Sequence, residues 1–146
     1  MQPTFRAYRT VDESECLALF DANCPAFFAP NEREDYQTFL RDDVRRYEVC
    51  LIGDRLVGAF GVLPSPTGSL ALRWILLSPN VQGLGIGSAI MARVLDVVRT
   101  HGGGPLQIAA SHKSAPFFSK FSARQVAVTP DGFGPGMHRV DMVLTA

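Results

Sequence analysis

Short apolar runs separated by turn-forming residues recur along the chain and predict β-strands. The run at residues 69–78 is apolar on both faces, which predicts a strand at the centre of its sheet. Gly53, Asp54 and Arg55 separate two other runs, so those runs are predicted to form a hairpin. The predicted strands are residues 5–9, 47–52, 56–63, 69–78, 106–110, 126–128 and 139–144.

Helical periodicity predicts four helices between these strands. The first covers residues 10–22 and begins with Thr10 and Glu13, the spacing of a capping box. Its inward face carries Cys16, Leu19 or Phe20, and Asn23, and its solvent face carries Asp12, Glu13 and Asp21. The other three cover residues 31–40, residues 85–100 and a segment that opens at Ser114.

The order of the elements defines the expected fold class. One strand precedes two helices, and strands and helices then mix without the strict alternation of a doubly wound fold, which predicts a mixed α/β layer architecture. A chain of 146 residues with 47% apolar residues is expected to form one globular domain, spanning residues 1–146. A glycine-rich loop is expected at residues 130–137, between the last two strands.

Charge and cysteine content narrow the function classes. Lysine plus arginine equals aspartate plus glutamate at 14 each, so no basic field points to nucleic acid or an anionic membrane as partner. No apolar run is long enough to span a bilayer and no secretory signal is evident, so a cytoplasmic location is expected. The three cysteines lack metal-ligand spacing, so no metal is expected, and core thiols are favoured over a catalytic cysteine.

A glycine-rich turn between a buried strand and a helix is the strongest chemical signal. Gly83, Gly85 and Gly87 precede or open the third predicted helix, where unpaired amides carry partial positive charge and glycine lets the backbone approach a phosphate. Gln82 and Ser88 add side-chain donors. A pyrophosphate fits this turn, although glycines at this spacing also occur in turns without a ligand.

Two other phosphate motifs are excluded by spacing. A dinucleotide fingerprint needs two residues between its second and third glycines, whereas only Ile86 separates Gly85 from Gly87. A P-loop needs Gly-Lys-Ser/Thr after the glycines, and that sequence is absent here.

Residues 82–87 resemble motif A of the GNAT (Gcn5-related N-acetyltransferase) superfamily, an Arg/Gln-x-x-Gly-x-Gly/Ala pyrophosphate loop. Residues 112–121 are similar to its motif B, in which Asn-x-x-Ala leads into a Phe-Tyr pair. The resemblance implies a mostly antiparallel sheet of six to seven strands flanked by about four helices. It also implies acetyl-coenzyme A (acetyl-CoA) as co-substrate and direct transfer to a primary amine of a small molecule or peptide. A homodimer is compatible with it.

The resemblance also assigns site residues. The backbone of Ile75, Leu76 and Leu77 is expected to pair with the pantetheine arm, and the Leu77 amide to polarise the thioester carbonyl as a catalytic group. Residues near the thiol are expected to be His112, Ala115, Phe117 and Phe118. The pyrophosphate is expected to contact Gln82, Gly83, Leu84, Gly85, Ile86, Gly87 and Ser88.

Two positions depart from the superfamily pattern. His112 replaces the usual Asn, and it is either a catalytic group or a hydrogen-bonded structural histidine. Phe118 stands where a tyrosine often protonates the leaving thiolate, so either water, His112 or the incoming ammonium donates the proton, or catalysis is slow. Loss of a general acid costs on the order of 10²–10⁴ in rate.

The remaining candidates concern the acceptor amine. Residues 69–78 hold no carboxylate, so Glu32 and Glu34 are the next candidates for a base, unless both only favour a helix N-terminus. Of the two, Glu34 is taken as the catalytic group and Glu32 as an acceptor contact. The other candidate acceptor contacts are Asp131, which could instead lie in a simple turn, and the aromatic residues Phe27, Phe28 and Phe133, which could instead be core.

Two non-catalytic functions remain as alternatives. The Phe118 substitution and the missing strand carboxylate favour an acyl-CoA-binding or sensing domain. A general interaction module without the co-substrate is opposed by the intact glycine turn.

Overall fold

The computed structural model describes residues 2–42, 44–81 and 83–145. These residues form seven strands and four α-helices, with 3-10 turns at Thr10–Asp12 and Pro79–Val81. The elements, in chain order, are β1 (Thr4–Ala7), α1 (Glu13–Ala22), α2 (Glu32–Asp42), β2 (Tyr47–Ile52), β3 (Arg55–Pro64), β4 (Leu70–Leu77), α3 (Ile86–Thr100), β5 (Pro105–Ser111), α4 (Ala115–Ser119), β6 (Arg124–Gly134) and β7 (Met137–Thr145).

All seven strands belong to one sheet, in the order β1-β2-β3-β4-β5-β7-β6. Every neighbouring pair is antiparallel except β4 and β5, which run parallel. The central position of β4 agrees with its apolar pattern, and the mixed α/β fold class is confirmed.

Helices cover both faces of the sheet and divide the core into two clusters. On one face, α3 buries Ile90, Met91 and Val94 against the sheet. On the other, α1 and α2 bury aromatic side chains, among them Phe20 and Tyr36. Each such side chain contributes about 1.5–3 kcal/mol of burial free energy, so these contacts fix the helices on the sheet.

The start of α1 differs from the expected capping box. Asp12 is buried rather than solvated, because its carboxylate forms two hydrogen bonds with the Arg6 guanidinium, at 2.8 and 3.0 Å, and accepts the Arg9 N–H at 2.8 Å. The Arg6 hydrogen bond is the largest cause that lowers the pKa of Asp12. The capping carboxylate is therefore Asp12 and not Glu13, since a 3-10 turn precedes the helix.

The expected glycine-rich loop is mostly strand. The β6 strand continues to Gly134 and the chain turns at Pro135 and Gly136, because β7 provides a long antiparallel partner. Across the described ranges, none of the helices has the length and apolar character needed to cross a membrane.

Candidate active site

The central strands β4 and β5 separate part way along their length. They pair only where Leu70–Leu72 face Leu106–Ile108. Beyond that point β4 continues beside β3, while β5 continues beside β7 to Ser111. The sheet therefore opens into a gap between the carboxyl ends of its two parallel strands, the position where α/β sheets commonly bind ligands.

A bulge in β4 accompanies this separation. Ala59 pairs with Leu76 and Gly61 pairs with Arg73, so β4 has one extra residue across this interval. Trp74 lies within it at a φ of 47°, which is uncommon for a residue with a side chain. Bulges increase local strand twist, so this one bends β4 away from β5.

The backbone of Leu77 is oriented toward the gap. The Ser78 N–H donates to the Val57 carbonyl at 2.8 Å, and successive residues of a strand direct their amides to opposite sides. The Leu77 amide is therefore directed away from β3. The Leu77 carbonyl accepts a hydrogen bond from the side-chain amide of Asn23 at 3.0 Å, which connects α1 to the end of β4.

A cleft of about 570 Å³ lies beside the glycine turn, and we call it the glycine cleft. Gly83 and Gly85 have φ values of 83° and 77°, and an added Cβ at either would have no atom within 4 Å. An added Cβ at Gly87 would lie 2.9 Å from the Phe117 ring. The lining includes Leu77, Gly83, Gly85, Ile86, Gly87, Ser88, Lys113, Phe117 and Lys120.

The glycine cleft has the hydrogen-bond donors and the positive charge that would bind a pyrophosphate. The first intrahelical hydrogen bond of α3 runs from the Ala89 N–H to the Gly85 carbonyl at 3.1 Å. The amides of Ile86, Gly87 and Ser88 precede it and so lack intrahelical acceptors. Together with the two lysines of the lining, they form a positively polarised surface around open space. Gln82 lies outside the described residues.

A second cleft, of about 680 Å³, adjoins the first, and we call it the aromatic cleft. Phe28 stacks on Trp74 with ring centroids 6.2 Å apart, and Phe27 and Phe133 extend the apolar lining. Its ionisable lining residues are Glu32, Arg73, Arg139 and Asp141.

Glu32 is the buried acid of the aromatic cleft. Its side chain accepts the Ala29 N–H at 2.8 Å, and the residue is 7% exposed. Burial raises the pKa of Glu32 to about 7, with a smaller contribution from Asp35, while the Ala29 hydrogen bond opposes the shift. Near neutral pH this carboxyl group can therefore both bind and release a proton.

The two clefts meet at the gap in the sheet. Five residues line both of them: Phe27, Phe28, Ile75, Ser114 and Phe118. Of these five, Ser114 carries the only hydroxyl, and its Oγ lies 3.1 Å from the Ser111 Oγ. A molecule in one cleft can thus reach a molecule in the other between β4 and β5.

Several residues expected in the site line neither cleft. Glu34 is exposed on α2, and Leu84 is 67% exposed. Ala115, one residue after Ser114, is half-buried against the α3 side of the core. Asp131 is exposed in β6.

His112 also lies outside both clefts. Its Nδ1 accepts the backbone N–H of His138 at 3.1 Å, and the two imidazole rings lie in contact, tilted by 40° with centroids 4.6 Å apart. The side chain is thereby held toward the β6–β7 hairpin.

Other residues reach the site without having been expected there. Arg73, Arg139 and Ser114 line the clefts, and Asn23 was expected only on the inward face of α1. The sequence pattern contained no signal for the first three, since Arg73 and Arg139 approach through the order of the strands and Ser114 through the turn after β5.

Two clefts joined through a split between parallel strands, one of them beside a glycine turn with unpaired helix amides, form the candidate active site. The chain belongs to the Acetyltransferase (GNAT) family, whose sequence model matches residues 16–122. It is thus a member of a family of acetyl-transferring enzymes that use acetyl-CoA. No curated protein matches the chain by sequence.

Solved structures share the fold over nearly the whole chain. A GNAT-family protein from Desulfovibrio desulfuricans has a TM-score of 0.79 and 23% identity, covering 99% of each chain. Ard1 from Thermoplasma volcanium has a TM-score of 0.82 and 13% identity, covering 99% of this chain and 97% of its own. The yncA protein of Salmonella typhimurium, solved with its cofactor acetyl-CoA, has a TM-score of 0.73 and 13% identity, covering 99% of this chain and 94% of its own.

Proposed function

We propose that the protein transfers an acetyl group from acetyl-CoA to the primary amine of a small acceptor. The observation that carries this proposal is the meeting of the glycine cleft and the aromatic cleft at Ile75 and Ser114. One cleft has the donors for a pyrophosphate, and the other has a buried carboxyl group that titrates near neutral pH. Bound acetyl-CoA supplies the activated acyl group as a thioester.

The glycine cleft would hold the co-substrate through main-chain groups. The amides of Ile86, Gly87 and Ser88 would bind the pyrophosphate, and the backbone of Ile75, Leu76 and Leu77 would pair with the pantetheine arm. The Leu77 amide is directed toward the gap, where it would stabilise negative charge on an acyl oxygen.

Glu32 would act as the base in the aromatic cleft. An alkyl amine is mostly protonated at pH 7 and must lose a proton before it can attack. A carboxylate with a pKa of about 7 accepts that proton more readily than an ordinary glutamate does. Glu32 takes this role rather than Glu34, because Glu34 is exposed and lines neither cleft.

The leaving sulfur needs a proton, and Phe118 cannot donate one. The Ser114 hydroxyl lies where the two clefts meet and is hydrogen-bonded to Ser111. We assign Ser114 the transfer of a proton to the sulfur. The acceptor enters as an ammonium and loses two protons: Glu32 accepts the first and releases it to solvent, and the second, lost as the amide forms, restores the Ser114 hydroxyl after it has protonated the thiolate.

A second candidate function is acyl-CoA binding without turnover, and the buried Phe118 favours it. Thiol release from acetyl-CoA, measured against a panel of amines, tests the two candidates together with calorimetric titration of acetyl-CoA. Steady turnover with any amine supports the enzyme. Tight binding without turnover across the panel supports the sensor.

Gly85→Trp tests the location of the co-substrate. The indole would enter the glycine cleft and should abolish acetyl-CoA binding. Gly103→Trp is the matched control, because Gly103 has a similar φ of 71°, faces equally open space and lies beyond the end of α3. Equal affinity of both variants and the unmodified protein would overturn the assignment of this cleft.

A further inference from the structure

The charged residues that line the aromatic cleft indicate which kind of acceptor it can bind. Arg139 and Asp141 neutralise each other, since the Arg139 Nε donates to the Asp141 carboxylate at 2.9 Å. Arg73 has no carboxylate partner in the part of the chain that the structure describes, and its guanidinium lies 5.6 Å from the centre of the Phe39 ring. Among the lining residues that the structure describes, Arg73 is therefore the one full charge with no opposite charge beside it.

Glu32 does not cancel that charge. It lies at the start of α2, and its carboxylate is held by the Ala29 amide rather than by an arginine. Ion pairs with Glu32 are absent from the described residues, while burial keeps a large share of it protonated near pH 7. The cleft thus combines an acid that can attract or deprotonate an amine with a separate cation.

The two groups come from different elements of the cleft, Glu32 from α2 and Arg73 from β4. Phe28 and Ile75 both line the junction of the clefts; Glu32 belongs to the wall of Phe28, and Arg73 precedes Ile75 by two residues on β4. The stacked rings of Phe28 and Trp74 also line the cleft, together with Phe133. An acceptor here meets a carboxyl group, a guanidinium and an apolar wall.

We propose, building on the function proposed above, that the acceptor is a small amino acid with an apolar side chain, whose carboxylate is bound by Arg73. Its amine is directed toward Glu32 and its side chain lies on the aromatic wall. A volume of about 680 Å³ leaves ample room for a molecule of this size. A polyamine would bring a second cation toward Arg73, where like charges repel.

The test compares each apolar amino acid with its own amide, using leucine and phenylalanine and their carboxamides. The amide keeps the amine and the side chain and lacks only the carboxylate, and its less basic amine is more available for attack. Preference for the acid therefore reports carboxylate recognition. We expect kcat/KM for the acid to exceed that for the amide by about 10- to 100-fold, the worth of one charge-assisted hydrogen-bonded contact.

Arg73→Gln should remove that preference by lowering kcat/KM for the acids about 10- to 100-fold while leaving the amides nearly unchanged. Arg55→Gln, an exposed arginine outside both clefts, is the matched control and should keep the preference. Should Arg73→Gln fail to fold, the comparison of acids with amides on the unmodified protein still shows whether the acceptor's carboxylate is recognised.

The outcomes separate this inference from the proposed function. Faster turnover of acids than amides supports both. Turnover of polyamines, peptide N-termini or amides with no advantage for the acids overturns the amino-acid acceptor and leaves acetyl transfer intact. Binding of acetyl-CoA with no turnover of any amine overturns both.

Discussion

The Tyr47 hydroxyl donates a hydrogen bond of 2.6 Å to the carbonyl oxygen of Trp74, the residue with left-handed φ in the bulge of β4. Tyr47 is 1% exposed, and its oxygen lies 2.9 Å from the Tyr36 hydroxyl. The Tyr47 hydroxyl has one hydrogen, which it donates to the Trp74 carbonyl. The hydrogen bond between the two hydroxyls is therefore donated by Tyr36 and accepted by Tyr47. A buried chain of hydrogen bonds thus runs from α2 to the point where β4 bends away from β5.

Tyr47→Phe should therefore weaken both stability and catalysis. The Trp74 carbonyl and the Tyr36 hydroxyl would each lose a partner in the core, which costs about 1–3 kcal/mol of unfolding free energy. A looser bulge would misplace Ile75 and Leu77, so kcat should fall by about 10-fold with a smaller change in KM. Urea unfolding and steady-state kinetics measure the two effects.

Tyr8→Phe is the control for this prediction. The Tyr8 ring packs edge-on against Tyr47 with centroids 6.0 Å apart, but its hydroxyl makes no hydrogen bond to the residues that the structure describes. We expect near-normal stability and kinetics from it. Equal effects of the two substitutions would show that the hydroxyl of Tyr47 does not hold the bulge.

Glu32 should make stability depend on pH. Its ordinary pKa of 4.5 rises to about 7 in the folded protein, so the folded state holds the proton more tightly than the unfolded state. Stability is complete below about pH 4.5 and falls as pH rises toward 7, by up to about 3 kcal/mol at 1.36 kcal/mol per pH unit.

Glu32→Gln should remove this loss, because glutamine cannot ionise and can still accept the Ala29 N–H. Relative to the unmodified protein, the variant should gain up to about 3 kcal/mol between pH 4.5 and pH 8. Urea unfolding at the two pH values measures the difference, and Glu34→Gln, an exposed position on α2, controls for altered helix charge. A difference that is the same at both pH values would contradict the burial of an ionisable Glu32.

The same substitution should change the pH profile of the reaction. In the unmodified protein, kcat/KM should rise with pH through about 7, as Glu32 loses its proton and becomes able to accept one. In Glu32→Gln that inflection should disappear, and the rate at pH 7.5 should fall by about 10²–10⁴. Glu34→Gln should retain the full profile. An unchanged inflection in Glu32→Gln would assign it to another group.

The sequence predicted the parts of the site that depend on local backbone requirements. Gly83 and Gly85 occupy positive φ values that side-chain-bearing residues adopt with strain, and a buried strand and an amphipathic helix flank them. The family resemblance supplied the fold, and the seven-stranded sheet agrees with it. These features depend on neighbours in the chain.

The parts that depend on packing were less accessible to prediction. Glu32 becomes buried only because α2 docks on the sheet, and Arg73 and Arg139 share a cleft only through the strand order. Motif B was placed on residues 112–121, and its Phe117 and Phe118 line the glycine cleft. His112 and Ala115 line neither cleft and Ser114 lines both, because a short turn after β5 decides which side chain faces inward.

Asn23 is the residue whose removal best tests the position of the Leu77 backbone. Its side-chain amide donates to the Leu19 carbonyl at 2.9 Å and the Leu77 carbonyl at 3.0 Å, and it is 6% exposed. Asn23→Ala should lower the free energy of unfolding by about 1–3 kcal/mol, because both carbonyls lose a donor.

The kinetic effect of Asn23→Ala should fall mainly on kcat, by about 10-fold, since a displaced Leu77 amide would stabilise the acyl oxygen less well. Asn23→Asp keeps the size of the side chain and removes the donor, so it should reproduce both effects. Asn80→Ala, at an exposed asparagine outside both clefts, should reproduce neither. If Asn23→Ala lost stability but kept its kcat, the Leu77 amide would not need this tether, and its orientation would have to come from the bulge at Trp74 alone.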